Sequence, residues 1–173
     1  MPDLDSYLEI AKSASLLAGN FLIEQQDTNL KILSNKARDL KLQIDIDAEE
    51  IIKEYITANS SLPILAEESG ISGSLDDYFW VVDPLDGTSN FLRNIPISCV
   101  SVALVQGLKP ILGAIFDFNN SDLYFAHKNS KAFVNTSEIY VSSLNFKKDS
   151  ILVTGIPAKD NYSDNEFSNM ISD

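Results

Sequence analysis

The sequence predicts an α+β fold in which two helices pack on a mainly antiparallel sheet. Two stretches before residue 60 carry apolar side chains at helical spacing, and after Pro63 the chain changes to short apolar runs separated by turn-forming residues. Apolar residues make up 45% of the 173 residues, and 9 Phe, 6 Tyr and 1 Trp are among them. This composition is typical of a globular protein with a core of its own.

Two helices are predicted, over residues 4–25 and 45–59. In each stretch the apolar residues recur at steps of three and four, which places them on one side of a helix. They include Leu4, Leu8, Ala11, Ala18 and Leu22 in the first helix and Ala48, Ile51, Ile52, Tyr55 and Ile56 in the second. The polar stretch between the helices has one possible short strand, at residues 30–33.

A series of strands is predicted after the second helix. The apolar, β-branched runs lie at residues 64–67, 79–83, 97–106, 111–118, 123–127, 131–135, 139–142 and 151–154. Turn-forming residues at 107–110 and 119–122 join neighbouring runs, so these strands should pair antiparallel. Residues 70–77 are predicted as a loop, and a further helix should begin near residue 164.

The chain is acidic, with 13 Lys and Arg against 25 Asp and Glu and a net charge of −12. Such a chain should repel nucleic-acid phosphates, and a bound phosphate would need a cation, for which a divalent metal is the obvious candidate. One cysteine, Cys99, and one histidine, His127, exclude an internal disulfide and a cysteine-based zinc cluster. Cys99 itself is expected to be a small core residue.

The sequence shows neither a signal peptide nor an apolar run of membrane-spanning length. Its first residues are acidic and amphipathic, and the longest apolar run, at residues 100–106, has the length of a strand. The lone cysteine is typical of a reducing compartment. We therefore expect a cytoplasmic protein with no membrane partner and no nucleic-acid partner.

The densest group of chemically active residues is the string Trp-Val-Val-Asp-Pro-Leu-Asp-Gly-Thr-Ser-Asn-Phe at residues 80–91. A buried strand delivers Asp83 at its end, Pro84 forces a turn, and Asp86 follows three residues after Asp83. A tight turn could therefore direct both carboxylates at one cation. An acidic turn closed by an Asp side-chain hydrogen bond is the alternative, but the string as a whole favours a site.

Three more elements extend this candidate site. Gly87 allows the backbone to approach a ligand closely, and residues 88–90 could cap a short helical turn whose N–H groups would meet an anion. Glu67, in the Glu67–Glu68 pair, ends another short strand and is a candidate ligand, although such a pair alone is usually a solvated edge. Asp45 stands where the second helix begins, a position that alone suggests a helix N-cap.

Together these residues resemble the inositol monophosphatase family, which belongs to a superfamily of magnesium-dependent, lithium-sensitive phosphatases. The family signature is a strand-borne Glu-Glu followed by W-(V/I)-(V/I)-D-P-(L/I)-D-G-T-(T/S)-N-F, and it stands here as Glu67–Glu68 and residues 80–91. Residues 131–135 are similar to the family's G-A-F-x-N, and the match continues to residues 155–157.

The resemblance implies the N-terminal domain of a layered αβαβα sugar-phosphatase sandwich. Residues 1–150 would form the metal- and phosphate-binding domain, and residues 151–173 would begin a truncated C-terminal α/β unit. The family's W-D-x-A-A-G string, whose Asp is a ligand of the second metal, does not occur in the sequence. We therefore expect the N-terminal portion of a longer protein, weak or inactive on its own.

The resemblance also implies how magnesium would be held. Glu67 and Asp83, with the Leu85 carbonyl, would hold one Mg²⁺, and Asp83 and Asp86 would hold a second. Glu67 would also face a third, weaker ion. Oxygen ligands of this kind suit Mg²⁺, and two ions can clamp the attacking and leaving oxygens of an in-line displacement.

The remaining implied roles concern phosphate and water. The Gly87 and Thr88 amides would bind the substrate phosphate, while Asp45 and the Thr88 hydroxyl would orient the attacking water. The implied catalytic residues are therefore Asp45, Glu67 and Thr88. Leu42 stands where the family usually has Thr, which removes one hydroxyl from the water-orienting network.

We therefore predict a Mg²⁺-dependent phosphomonoesterase that hydrolyses a small polyol phosphate such as an inositol monophosphate. Bisphosphate nucleotidase, histidinol-phosphatase and fructose-1,6-bisphosphatase activities are alternatives on the same scaffold. Ser89 disfavours the first of these, because bisphosphate nucleotidases tend to have Lys at this place. A non-catalytic fragment is the alternative of another class. A homodimer is possible for the full-length protein.

Overall fold

The computed structural model describes residues 3–26, 32–36, 39–74, 77–144 and 151. The chain divides into two compact units, Met1–Tyr140 and Val141–Asp173, and the helices and strands given below all lie in the first. The helix predicted near residue 164, the residues matched at 155–157 and, beyond Ile151, the strand predicted at 151–154 fall outside the described residues. The predicted domain division after residue 150 stays a prediction for the same reason.

Two long helices, α1 (Leu4–Gln25) and α2 (Gln43–Asn59), confirm the helical predictions. Helix α2 begins two residues earlier than predicted, so Asp45 lies inside its first turn and is not the N-cap. Within the described residues, no helix combines the length and apolar character needed to cross a bilayer.

The polar stretch between the helices contains a hairpin. Strand β1 (Ile32–Lys36) pairs antiparallel with β2 (Asp39–Leu42), and the pair forms a sheet of its own. The prediction of a single strand at residues 30–33 was therefore incomplete. Strand β1 lacks the alternation of apolar and polar residues that marks a half-buried strand, whereas β2, with the sequence Asp-Leu-Lys-Leu, has it and was overlooked.

Among the described residues, the main sheet has eight strands. They are β3 (Ile64–Ala66), β4 (Gly70–Ser72), β5 (Tyr78–Asp86), β6 (Cys99–Gln106), β7 (Lys109–Asp117), β8 (Asp122–His127), β9 (Ala132–Val134) and β10 (Ser137–Ile139). Their spatial order is β10-β9-β8-β7-β6-β5-β3-β4. Strands β5 to β10 are neighbours in sequence and pair antiparallel, which confirms the predicted meander. The last strand differs from its prediction at residues 139–142, because β10 ends at Ile139.

Strands β3 and β4 depart from the simple meander. Among the described strands, only β3 and β5 pair in parallel, with Ala66 opposite Val82. Strand β4 pairs antiparallel with the other side of β3 and forms an edge of the sheet. The prediction of a loop over residues 70–77 is wrong at this strand, because a three-residue edge strand that begins with Gly70 gives no periodic signal.

Helices α1 and α2 supply one layer of the core, and one face of the sheet supplies the other. Helix α1 contacts strands β6 to β8, while α2 contacts β5 and α1. The buried residues of the sheet recur at every second position, as expected for one face of each strand. They include Trp80, Val82, Val100, Val102, Leu104, Leu112, Ala114 and Phe116. On the opposite face, Ile115 and Tyr124 are exposed by 44% and 39%.

Gly19 sets how closely α1 approaches the sheet. A Cβ atom added at Gly19 would lie 2.3 Å from Cδ1 of Phe116, which is a buried residue of β7. The aromatic ring therefore occupies the space that any other side chain at position 19 would need. Helix α1 packs directly on the ring through its own backbone.

We predict that Gly19→Ala destabilises the protein by about 1–3 kcal/mol, the usual cost of overpacking a core. Urea unfolding followed by circular dichroism would measure this loss. Asn20→Ala is the control, because Asn20 is exposed on the same helix and Ala is the better helix former. If Gly19→Ala and Asn20→Ala were equally stable, Phe116 would not limit the approach of α1.

Candidate metal and phosphate site

A bulge in β5 places Asp83 and Asp86 on the same face of the sheet. Asp83 lies opposite Ser101 and Asp86 lies opposite Cys99, so three steps along β5 match two steps along β6. In a regular strand, residues three apart would point to opposite faces. The two carboxylates thus share a face because of a bulge within β5.

Local hydrogen bonds fix the backbone between these two carboxylates. The Leu85 N–H donates to Asp83 Oδ1 at 3.1 Å, and the Thr88 hydroxyl donates to the Leu85 carbonyl at 3.1 Å. The hydrogen-bonded acidic turn, considered above as an alternative to a site, is therefore present. It is compatible with a site, because a carboxylate and a carbonyl oxygen each retain further lone pairs for a cation.

Glu67 reaches Asp83 because β3 and β5 run in parallel. Their C-terminal ends lie at the same edge of the sheet, and the Glu67 N–H donates to the Val82 carbonyl at 3.1 Å. Glu67 follows Ala66 as Asp83 follows Val82, so the two acidic residues occupy equivalent places. The Glu67 carboxyl is close enough to Asp83 to act on its protonation.

This contact changes the protonation of Asp83. Burial, the neighbouring Glu67 carboxyl and the charge of Asp86 raise the pKa of Asp83 to about 7, against a smaller lowering by the Leu85 amide. Because a nearby negative charge and burial both favour the neutral acid, Asp83 keeps its proton to a higher pH than an exposed aspartate does. A cation bound by both carboxylates would take the place of that proton.

The carboxylates do not yet form a complete cation site. Within the part of the chain that the structure describes, no group of three or more Asp, Glu, His or Cys side chains is placed to hold a metal ion. Asp86 acts on Asp83 through its charge. The donors are oxygen atoms only, and this chemistry fits Mg²⁺.

Gly87 and the short helix α3 (Thr88–Phe91) form the part that is expected to bind phosphate. Gly87 has a φ of 91°, and a Cβ there would lie 2.7 Å from the Ile97 carbonyl oxygen, so other residues do not fit. The Gly87 carbonyl accepts the N–H groups of Asn90 and Phe91 at 2.8 and 2.9 Å. Gly87 and Thr88 stand at the start of α3, where backbone N–H groups have no acceptor within the helix.

Asp45 is buried in the first turn of α2, with 1% of its surface exposed. Its Oδ2 accepts the Leu42 N–H at 2.6 Å. Strand β2, which ends at Leu42 and leads into α2, contacts α3, the helix that begins with Thr88. Leu in place of Thr at position 42 does not affect this hydrogen bond to Asp45, because the donor is the backbone N–H and not the side chain.

Glu49 is a buried acidic residue that the sequence analysis missed. It lies one helical turn after Asp45 on α2, has 2% of its surface exposed and accepts the N–H groups of Glu68 and Ser69 at 2.7 and 3.1 Å. Its position within the apolar stripe of α2, beside Ala48 and before Ile52, was the available signal. A charged residue at a core position of a helix requires a specific partner.

Cys99 is not the core residue that the sequence suggested. It is half-buried and its thiol donates to Asp86 Oδ2 at 3.9 Å. Burial and the charges of Asp86, Asp83 and Asp117 raise the pKa of the thiol to about 11. Cys99 therefore stays protonated at neutral pH and is a poor nucleophile and metal ligand.

Comparison with known proteins identifies relatives along almost the whole chain. A sequence profile of the inositol monophosphatase family matches residues 3–171. The fructose-1,6-bisphosphatase/inositol-1-monophosphatase of Aquifex aeolicus is 35% identical over 176 residues, which cover 100% of this chain and 67% of that protein. The inositol-1-monophosphatase of Synechocystis is 38% identical over 156 residues, which cover 88% of this chain and 54% of that protein.

The architecture also matches a solved structure. The extragenic suppressor protein suhB from Bartonella henselae superposes with a TM-score of 0.74 and 34% identity, over 80% of this chain and 55% of that chain. This similarity confirms the predicted arrangement of two helices on a mainly antiparallel sheet. The chain thus spans between about half and two thirds of the length of these relatives.

The raised pKa of Asp83 predicts a specific pH dependence of stability in the absence of metal. The folded state keeps a proton up to about pH 7 that the unfolded chain releases near pH 3.8. Stability should therefore fall as the pH rises from about 4 to 7, by about 1–2 kcal/mol once solvent screening of this half-exposed group is allowed for.

Asp83→Asn removes this titrating proton, and the loss of stability between about pH 4 and 7 should disappear with it. Urea unfolding in EDTA at pH 5 and pH 8 would compare the wild type with Asp83→Asn and with Asp77→Asn, which replaces an exposed carboxylate of the same sheet region. The amide introduced by Asp83→Asn can still accept the Leu85 N–H through its carbonyl oxygen. Equal pH dependence in all three proteins would show that Asp83 carries no such proton.

Proposed function

The chain belongs to the inositol monophosphatase family, and on that premise we propose that it contributes the Mg²⁺ and phosphate site of a phosphomonoesterase. The proposed substrate is a small polyol phosphate such as an inositol monophosphate. The observation that carries the proposal is the placement of Glu67 beside Asp83 at the end of two parallel strands, next to the glycine turn at Gly87. A pair of this kind marks a place where a cation relieves the repulsion between carboxylates.

Glu67, Asp83 and Asp86, with the Leu85 carbonyl, would hold two or three Mg²⁺ ions. When bound, the ions supply positive charge for the phosphate and lower the pKa of a water molecule, which makes it a nucleophile at neutral pH. The bulge in β5 and the parallel pairing of β3 with β5 give these ligands a common edge of the sheet. A net charge of −12 makes such a cation necessary for binding an anionic substrate.

The residues of the chain itself would bind the phosphate and orient the water. The Gly87 and Thr88 amides would donate to phosphate oxygens, and the positive φ of Gly87 lets the backbone approach them closely. Asp45 and the Thr88 hydroxyl would orient the water for in-line attack. The Leu85 carbonyl holds that hydroxyl at 3.1 Å, and the Leu42 N–H holds Asp45.

Fructose 1,6-bisphosphate is the second candidate substrate. The relative from Aquifex aeolicus carries both activities in its name and is 35% identical to this chain. Both substrates are phosphate monoesters of small polyols, so the same phosphate site would serve either. The chain spans 54% of the Synechocystis relative. The proposal therefore concerns the function of the site and does not require that these 173 residues be active alone.

Cation binding should be linked to proton release from the carboxylate pair. Below pH 7 a metal ion must displace the proton of Asp83, so the apparent affinity for Mg²⁺ should rise by up to about tenfold for each pH unit and level off above pH 7. Isothermal titration at pH 5.5, 6.5 and 7.5, in buffers of different ionisation enthalpy, would measure the affinity and the number of protons released. Asp83→Asn should bind weakly at every pH, and Asp77→Asn should bind as the wild type does. Affinity that does not change between pH 5.5 and 7.5 would contradict the assignment.

Phosphatase activity should depend on the same ligands. Phosphate release from inositol 1-phosphate and from fructose 1,6-bisphosphate would be measured with Mg²⁺, with added Li⁺ and with EDTA. We expect Asp83→Asn to reduce kcat by more than about a hundredfold, because one carboxylate would contact two ions. Li⁺ should inhibit the reaction, as it does in the family that the sequence resembles. Turnover that survives both EDTA and Asp83→Asn would rule out the proposed chemistry.

A further inference from the structure

We propose that Glu49 is a positioning residue that holds Glu67 in the orientation required for cation binding. This inference rests on the proposed function, because it assigns a role to Glu49 only through the cation site. Glu49 lies on α2, 2% exposed, and its carboxylate contacts the β3–β4 turn directly after Glu67.

The backbone on both sides of Glu67 is fixed by hydrogen bonds to different elements. The N–H of Glu67 donates to the Val82 carbonyl of β5 at 3.1 Å. The next N–H, that of Glu68, donates to Glu49 Oε2 at 2.7 Å. Since these two peptide groups flank the α-carbon of Glu67, they set its φ and ψ and hence the direction of its side chain toward Asp83.

Both oxygens of the Glu49 carboxylate take part in this contact. Oε1 accepts the Ser69 N–H at 3.1 Å, while Oε2 accepts the Glu68 N–H and lies 3.4 Å from the Ser69 nitrogen. Lys53, one turn further along α2, lies 4.0 Å from Oε1. Two neighbouring N–H groups therefore meet one buried carboxylate, which binds them more strongly than a neutral acceptor would.

The placement of Glu49 also links the two halves of the candidate site. Asp45 and Glu49 are four residues apart on α2, so they lie on the same side of the helix. One residue is expected to orient the attacking water, and the other fixes the strand end that carries Glu67. Helix α2 thus acts as a single rigid support for a water-orienting group and a cation ligand.

The test is the affinity of the 173-residue chain for Mn²⁺, measured by isothermal titration at pH 7.5 and set beside the unfolding free energy in EDTA. Glu49→Gln keeps the shape of the side chain. Its amide NH₂ group is a donor, however, and would face one of the two backbone N–H groups that the carboxylate accepts. We expect Mn²⁺ to bind about tenfold more weakly to Glu49→Gln, within the range usual for partners that orient metal ligands. Glu49→Asp keeps the carboxylate with a shorter reach, and we expect about a threefold loss, which is partial rescue.

Glu54→Gln is the matched control, because Glu54 is exposed on the same helix; it should bind Mn²⁺ as the wild type does. A role in stability alone would lower the unfolding free energy of the Glu49 variants and leave their Mn²⁺ affinity unchanged, and that result would overturn the inference while leaving the proposed function intact. If the wild-type chain bound no Mn²⁺, the proposed function would fail, and this inference with it. Where Glu49→Gln does not fold, Glu49→Asp decides: wild-type affinity in that variant would overturn the inference.

Discussion

The parallel pairing of β3 with β5 is the constraint on which the candidate site depends. If β3 ran in the opposite direction, Glu67 and Asp83 would lie at opposite edges of the sheet. The parallel register instead carries both chains to one edge and places Ala66 beside Val82. The bond from the Glu67 N–H to the Val82 carbonyl extends this register by one residue, and the two acidic side chains meet immediately beyond it.

The bulge in β5 adds Asp86 to the same region. Its extra residue turns Asp86 toward the face that Asp83 occupies. Two hydrogen bonds stabilise this backbone path, one from the Leu85 N–H to the Asp83 carboxylate and one from the Thr88 hydroxyl to the Leu85 carbonyl. The strand therefore ends in an irregular segment that is held by hydrogen bonds of its own. Irregular backbone at a strand end is common beside active sites, where it redirects a side chain.

Sequence reasoning succeeded where the signal is local. The stripes of α1 and α2 and the meander from β5 to β10 follow from periodicity and from turn residues next to each strand. The parallel pairing of β3 with β5 was not predictable in this way, because a pairing between strands separated by another strand leaves no mark on either segment. The same holds for the β5 bulge, which depends on the register with β6.

The site shows the same division. Asp83, Asp86 and Gly87 stood out because they occur in one dense string, whereas Glu49 acts across 19 residues of sequence on the backbone of Glu68. The sequence motif contains the groups expected to contact substrate and cation, and it does not contain the buried group that supports them. A search for charged residues within apolar helical stripes would have found Glu49.

The contact between Gly19 and Phe116 has an evolutionary consequence. The ring of Phe116 fills the space in which a side chain at position 19 would stand, so the two positions cannot drift independently. A lineage that acquired a larger residue on the helix would need a smaller one on the strand, and each change made alone would pass through a less stable intermediate. The same coupling applies to chimaeras, in which α1 from one homologue would fit the sheet of another only if both partners of this contact were exchanged together.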